Sequence, residues 1–317
     1  MSLPVLHSIV DRVRTSHRAA LAFDRVGLAT LADRLDAIRE GGDLVAIPLP
    51  IGPGQLRAHR IKLFRHGGND HAVEGIVLGG WFGFERPLPD VLLRTARHYG
   101  GVVIDVGANS GFYALLAAEA RRDVVVHAFE PFPPVAEVLR RNIGSNHSGA
   151  RVHVHPLAVA ETDGELTLYI PRGSDAIETS ASLDPTFKDD VTDEVKTATV
   201  TLDRFWADAG RPTVTMMKID TEGSEDRVLA GAAALVAGTR PVIFCEVLPR
   251  ADMDAIDAFC RDQRYVRTRL QPGAAVVTSH VEWDPDAWNH CFVAAERFHE
   301  FADRVLAPLL PVLDERA

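Results

Sequence analysis

The chain has 317 residues, 46% hydrophobic and 25% charged, which is the composition of a globular protein with a sizeable core. Its 44 acidic residues outnumber 34 basic ones, giving a formal charge of −10 that argues against a polyanion-binding surface, so no nucleic-acid partner is expected. The three cysteines, Cys245, Cys260 and Cys291, are far apart and form no CxxC pair, which excludes a disulfide scaffold and makes a cytoplasmic setting the simplest one.

Residues 1–40 read as helical, because Val5, Ile9 and Val13 recur every fourth position and Leu28, Leu31 and Leu35 follow at helical spacing. The N-terminus lacks a long apolar core before a cleavage site, and no apolar stretch reaches about 18 uncharged residues, so neither a leader nor a transmembrane segment is expected. Glycine and proline punctuate GGDLVAIPLPIGPGQ; residues 60–65 alternate as a strand, with a turn at HGGND. Residues 91–99 predict a short helix leading into the first core strand. The chain therefore divides into a mainly helical N-terminal extension (1–90), a main domain (91–300) and a C-terminal tail (301–317).

From residue 101 a βα rhythm sets in. Strands are predicted at 102–105, 124–129, 152–159, 215–219 and 241–247, with helices over 112–119, 134–142 and 225–235. Short strands alternating with helices predict an α/β fold with a largely parallel, doubly wound sheet. Residues 164–170 and 195–202 both alternate like strands around a polar stretch, a β-hairpin insertion. Residues 264–270 and 290–296 are placed to close the sheet as an antiparallel pair.

Chemistry concentrates where these strands end, the edge at which open α/β sheets bind ligands. The loop Asp105-Val106-Gly107-Ala108-Asn109-Ser110-Gly111 must turn tightly with bare backbone, yet it is neither GxGxxG nor a phosphate loop ending in Gly-Lys. Asp105 is placed to orient backbone amides or to meet a ligand cation. Glu130 falls 25 residues beyond Asp105, at the end of the next strand, where a carboxylate can accept both hydroxyls of a ribose. In MKIDTEGSE, Lys218 within a buried strand is costly unless its ammonium is paired or reaches the rim. Asp220 and Glu222 after it are candidates to touch substrate, water or a metal, while Glu225 and Asp226 suit the first turn of a helix. Glu246 ends the following strand. His153 and His155 share a strand face but do not make a convincing metal set, and no metal site is assigned. His280, near the final hairpin, is a candidate general base.

Taken together, VVIDVGANSGFYALLAA, VHAFEPFPPVAEVLRRNI, HPLAVAETDGELTLYI, ETSASL, VTLDRF, MMKIDTEGSEDRVLAGA and VIFCEV resemble, in order, the FkbM family of S-adenosylmethionine-dependent methyltransferases over residues 100–295. The resemblance implies a Rossmann-like class I methyltransferase sheet with a reversed last strand, a β-hairpin insertion and a helical N-terminal extension. It implies S-adenosyl-L-methionine as cofactor. Asp105, Gly107, Ala108, Asn109 and Gly111 would line its methionine side, Glu130 would hold the ribose, and Phe132 and Ala158 would border the adenosine. Asp220, Glu222 and Glu246 would face the methyl-transfer space, with Asp220 or His280 as base and Glu222 and Glu246 gripping substrate hydroxyls. The implied acceptor is a hydroxyl of a small molecule or carbohydrate: a sugar, glycolipid or secondary metabolite. The first 90 residues would shape substrate choice or self-association into a homo-oligomer. A nicotinamide-dependent oxidoreductase and a non-catalytic binding module are the alternatives that the residues alone leave open.

Overall fold

The computed structural model describes residues 43–49, 60–65, 73, 75–76, 84–171 and 191–316. The helices expected over 1–40, and most of the polar stretch inside the insertion, lie outside these residues. Strands β1 (Leu44–Pro48) and β2 (Arg60–Phe64) pair antiparallel. The second was expected; the first is hidden in the sequence by the glycines and prolines on either side of it. The pair docks through two asparagines. Asn142 Oδ1 accepts the Phe64 N–H at 2.8 Å, and Asn146 exchanges hydrogen bonds with both backbone groups of Lys62 at 2.9 and 2.8 Å.

Helix α1 (Leu88–Tyr99) then leads into β3 (Val102–Val106), α2 (Phe112–Ala120), β4 (Val125–Phe129), α3 (Pro133–Gly144) and β5 (Val152–His155). The strand expected over 152–159 is two strands. Pro156, which has no N–H to give a ladder, follows β5. The chain then crosses to a second sheet as β6 (Ala158–Val159). There it lies beside a hairpin made by β7 (Gly164–Pro171) and β8 (Val191–Val200), in the order β6-β8-β7. Thr201 ends β8 earlier than expected, because its hydroxyl accepts the Arg204 N–H and caps α4 (Leu202–Asp208).

The main sheet resumes with β9 (Val214–Ile219), followed by α5 (Glu225–Ala230) and α6 (Ala233–Thr239). One helix was expected across 225–235. Gly231 breaks it where a Cβ would lie 2.2 Å from the Ala160 carbonyl oxygen, and the Asp203 carboxylate caps the new helix through the N–H groups of Ala234 and Leu235. Then come β10 (Val242–Glu246), α7 (Met253–Asp262), β11 (Tyr265–Gln271), β12 (Ala274–Thr278), β13 (Asn289–Ala294) and β14 (Val312–Asp314).

Among the described residues the main sheet has the order β14-β12-β11-β13-β10-β9-β3-β4-β5. The five strands from β10 to β5 are parallel, and β13 enters antiparallel between β10 and β11. This is the Rossmann-like α/β sheet with a reversed strand that the motifs implied. Successive side chains of the central strands enter two different cores: Val103, Met216 and Phe244 pack on the face of α1 and α2, while Ile104, Met217 and Cys245 pack on the face of α5, α6 and α7. Both faces are covered, which is why these strands read as continuous apolar runs rather than alternating ones. The segment 301–316 also packs here, burying Phe301, Val305 and Leu306 before β14 joins the edge. All three cysteines are buried free thiols. Among the described residues no helix is long and apolar enough to cross a membrane.

Candidate active site

Register fixes the site. Val106 lies opposite Phe129 on one side and Ile219 on the other, and Ile219 lies opposite Cys245. The glycine loop, Glu130, the Asp220 turn and Glu246 therefore all emerge at the carboxyl edge of four adjacent parallel strands.

The glycine loop is held by backbone. Gly107 and Ala108 both donate to the Phe129 carbonyl, at 3.0 and 2.9 Å. Gly107 has φ 75°, and a Cβ there would stand 1.7 Å from the Asp220 carbonyl oxygen, so the two loops can touch only through a glycine. Asn109 also takes a left-handed conformation, φ 49°, which its short polar side chain tolerates while accepting the Ser110 N–H at 2.6 Å. Asn142 Nδ2 donates to the Ser110 carbonyl at 2.7 Å, which ties the loop to α3.

Glu130 is buried, and each carboxylate oxygen accepts a backbone N–H at 3.0 Å: Oε2 from Asn109 and Oε1 from Phe132. Burial pushes its carboxyl up to about 7 against the pull of those two N–H groups. Glu130, Gly107 and Asn109 line a narrow cleft of about 670 Å³, its open mouth included, together with Asp220 and Glu222. Ala158 and Leu168 close its apolar side, so the hairpin strand β7 contributes to the cleft. Phe132 contributes its N–H, but its ring is not among the lining groups.

A second cavity of about 770 Å³, its open mouth included, is lined by Gly107, Ala108 and Asn109 as well. Lys218, Asp220, Glu222 and Glu246 line it, together with Glu85 and Tyr113. Lys218 is 4% exposed; its Nζ lies 2.6 Å from Asp220 Oδ2 and 4.6 Å from the centre of the Tyr113 ring. The pairing that its burial demanded is thus Asp220. Burial opposes its charge, yet Asp220, Asp105 and Glu85 outweigh that and raise its proton affinity above the ordinary lysine value. Burial would likewise raise Asp220, but Lys218, with hydrogen bonds to Glu246 and Lys218, holds it below the usual carboxylate range. Glu246 is pushed well above that range by burial and by the Asp220 charge. The Tyr113 hydroxyl donates to Glu85 Oε2 at 2.5 Å. Asp105 lies beneath the cluster, 1% exposed, with both oxygens outside hydrogen-bond geometry and the Ala114 N–H acting on it from nearby; burial raises its carboxyl to about 6.

Two expectations change. Glu225 is more than a helix-dipole acid: its buried Oε1 accepts the Thr221 N–H, the Thr221 hydroxyl and the Gly223 N–H at 2.8, 3.0 and 3.2 Å, shaping the turn that presents Asp220 and Glu222. His280 does not join the site. It follows β12, whose Thr278 stands opposite Arg267, which stands opposite Phe292, which stands opposite Ile243. That places it near the amino-terminal half of β10 and three strand positions away, roughly 14 Å at the usual spacing. Its side chain is 63% exposed and lies 3.5 Å from Glu282. Conversely, Glu85, Tyr113 and Leu168 were not anticipated. Tyr113 follows the glycine loop directly and could have been found from that position; Glu85 lies outside the βα rhythm and carries no local signal. Among the described residues no group of three or more His, Cys, Asp and Glu side chains is arranged to hold a metal ion.

A family model described as the methyltransferase FkbM domain matches residues 105–267. The 31-O-demethyl-FK506 methyltransferase FkbM of Streptomyces tacrolimicus is 33% identical over 42% of this chain. That match covers 59% of the relative, so the chain spans about three-fifths of its length. Among solved structures, a methyltransferase FkbM from Methylobacillus flagellatus KT is 16% identical, with 61% of this chain and 43% of that chain covered and a TM-score of 0.41. An O-methyltransferase from Bacillus cereus in complex with SAH is 15% identical, with 70% and 87% covered and a TM-score of 0.40.

Proposed function

The chain belongs to the FkbM methyltransferase family, and from that premise we propose that it transfers a methyl group from S-adenosylmethionine to a hydroxyl oxygen of a small-molecule or carbohydrate acceptor. One observation carries the reading: the bare backbone at Gly107 and the buried carboxylate of Glu130 converge on the same cleft, and Gly107, Asn109, Asp220 and Glu222 line both it and a cavity crowded with acids.

The residues fit a cationic adenosyl cofactor. Glu130, pinned by the Asn109 and Phe132 amides, keeps lone pairs on both oxygens for two ribose hydroxyls. Ala158 and Leu168 supply an apolar wall for a purine. Asp105, Asp220, Glu85, Glu222 and Glu246 surround a single lysine, and such an excess of carboxyl groups attracts an ammonium and a sulfonium. When bound, the cofactor would supply a methyl carbon already activated by its sulfonium, whose carbon–sulfur electron pair would stay on sulfur.

The chain's own task is alignment and removal of one proton. Cavity walls that hold an acceptor oxygen in line convert an encounter into a unimolecular step. Asp220, ionised beside Lys218, is the proposed base that takes the hydroxyl proton as the new bond forms. Glu222 and Glu246, lining the same cavity, would hold neighbouring hydroxyls. The reading is tested by incubating the full chain with methyl-labelled cofactor and fractionated sugars, glycolipids and small metabolites. Label is expected in an alkali-stable ether of one hydroxylated fraction. Label found only in base-labile esters or in amines would refute the hydroxyl assignment.

A further inference from the structure

The acidic cavity has a neighbour. A third cavity, also of about 770 Å³ with its open mouth included, is lined by Glu85, Arg86, Leu270, Asp286, Trp288 and Asn289. Two links join it to the acidic one. Glu85 lines both. Asn289, in the third cavity, stands directly opposite Glu246, in the acidic one, across the antiparallel pair β10–β13. Residues facing each other in such a pair lie about 4.5–5.5 Å apart, with their side chains on the same face. The groove therefore starts where the methyl-transfer space ends, and among the described residues none lines both it and the Glu130 cleft.

Both sides of the groove are held in place. Glu85 takes a left-handed conformation, φ 45°, of the kind that persists where the surroundings impose it, and the Tyr113 hydroxyl donates to its Oε2 at 2.5 Å. Across from it, the Trp288 carbonyl accepts the Val247 N–H at 2.8 Å, which carries the β10–β13 pairing one step beyond Glu246. Asp284 fixes the approach to Trp288: its carboxylate accepts the Asp286 N–H at 2.9 Å and its carbonyl the Ala287 N–H at 3.0 Å. Asn289 and Leu270 are buried, Trp288 is half-buried and Asp286 is exposed. The indole and Leu270 offer packing surface, the Glu85 and Asp286 carboxylates accept hydrogen bonds, Arg86 donates them, and the Asn289 carboxamide does both. This mixture suits a ring with an apolar face and hydroxyl groups around its edge. A wholly apolar ligand would leave the polar groups unpaired.

We infer that this groove holds the part of the acceptor that is not methylated, a second hydroxylated ring joined to the reacting one as in a glycoside, with Trp288 and Asn289 setting acceptor choice. The inference rests on the proposed function for the identity of the reacting ring. Trp288 packs against the second ring, Asn289 and Asp286 read its hydroxyls, and the joined ring reaches past Glu85 and Glu246 towards Asp220. Binding energy gained at the remote ring is then spent on orienting the hydroxyl that receives the methyl group.

An array of defined monosaccharide and disaccharide glycosides, probed with the full chain in the absence of cofactor, tests the groove by itself. Binding of S-adenosylmethionine, measured separately, tests the reading it rests on. At least one disaccharide should be bound about tenfold more tightly than either of its component monosaccharides, and Trp288→Ala should erase that margin. A merely structural tryptophan would weaken both kinds of glycoside alike and leave the margin standing. Should Trp288→Ala fail to fold, Asp286→Ala, which truncates an exposed side chain, gives the same decision by narrowing the margin at least threefold. Binding of no glycoside overturns the inference. So does equal binding of disaccharides and their component monosaccharides, or a margin that the folded variant leaves unchanged. A Trp288-dependent margin in a chain that does not bind S-adenosylmethionine would uphold the groove and refute the methyltransferase reading.

Discussion

Asp105 shows how burying a single carboxyl can cost the fold stability. Its carboxyl is raised from 3.8 to about 6 by burial, with both oxygens unpartnered. The folded state therefore binds its proton more tightly than the unfolded chain does. Its contribution to stability is greatest below pH 3.8 and declines as the pH rises through 6, a difference of about 3 kcal/mol at 1.36 kcal/mol per pH unit. Asp105→Asn should stabilise the ligand-free protein by about 1–3 kcal/mol at pH 8, part of the gain being lost with the attraction to Lys218, and by progressively less towards pH 4. Urea unfolding of both proteins across this range checks it; a difference independent of pH would be inconsistent with a buried ionised carboxylate. The sequence placed Asp105, Glu130, Asp220 and Glu246 at strand ends because each follows an apolar run directly. It did not reveal that Lys218 joins Asp220, or that Glu85 reaches Tyr113, because those pairings depend on neighbouring strands and on a segment with no periodic pattern.

At the scale of elements, strong apolar runs were legible and their ends were not. The helix break at Gly231 is set by the chain just after β6, and local periodicity carries no trace of a carbonyl 2.2 Å from an absent Cβ; the departure from the sheet after His155 follows Pro156, which the apolar pattern on either side masked. The hairpin β7–β8 was legible from alternation, but the reach of Leu168 into the cleft was not. Asn142 is the most consequential polar link between elements. It is fully buried and joins the Ser110 carbonyl of the glycine loop to the Phe64 N–H of β2. Asn142→Ala removes both bonds and leaves two backbone groups unpaired, which should cost about 2–4 kcal/mol. Hydrogen exchange should then accelerate at Phe64 while the central strand amides, such as Ile104, change only with global stability. Equal acceleration everywhere would show that the asparagine acts on the whole fold rather than on this junction.

For the whole molecule, the βα rhythm and the reversed closing strand were readable because a doubly covered parallel sheet demands uninterrupted apolar strands. The outer strands β12 and β14 escaped notice, being short and joined to the sheet by pairing with β11 and with each other. The architecture brings four loops to one edge, and the central claim is that this edge holds S-adenosylmethionine through Glu130. Calorimetric titration of the full chain with that cofactor, at pH 6 and pH 8, tests it most directly. Glu130 has a proton affinity near pH 7 in the empty protein, so its carboxylate form, the one that accepts ribose hydroxyls, prevails only above that pH. Saturable binding is predicted, several-fold tighter at pH 8 than at pH 6, and weakened about 10–100-fold in Glu130→Ala, the loss expected for hydrogen bonds to a charged group. No heat of binding with S-adenosylmethionine, alongside saturable binding of NADH, would contradict the account.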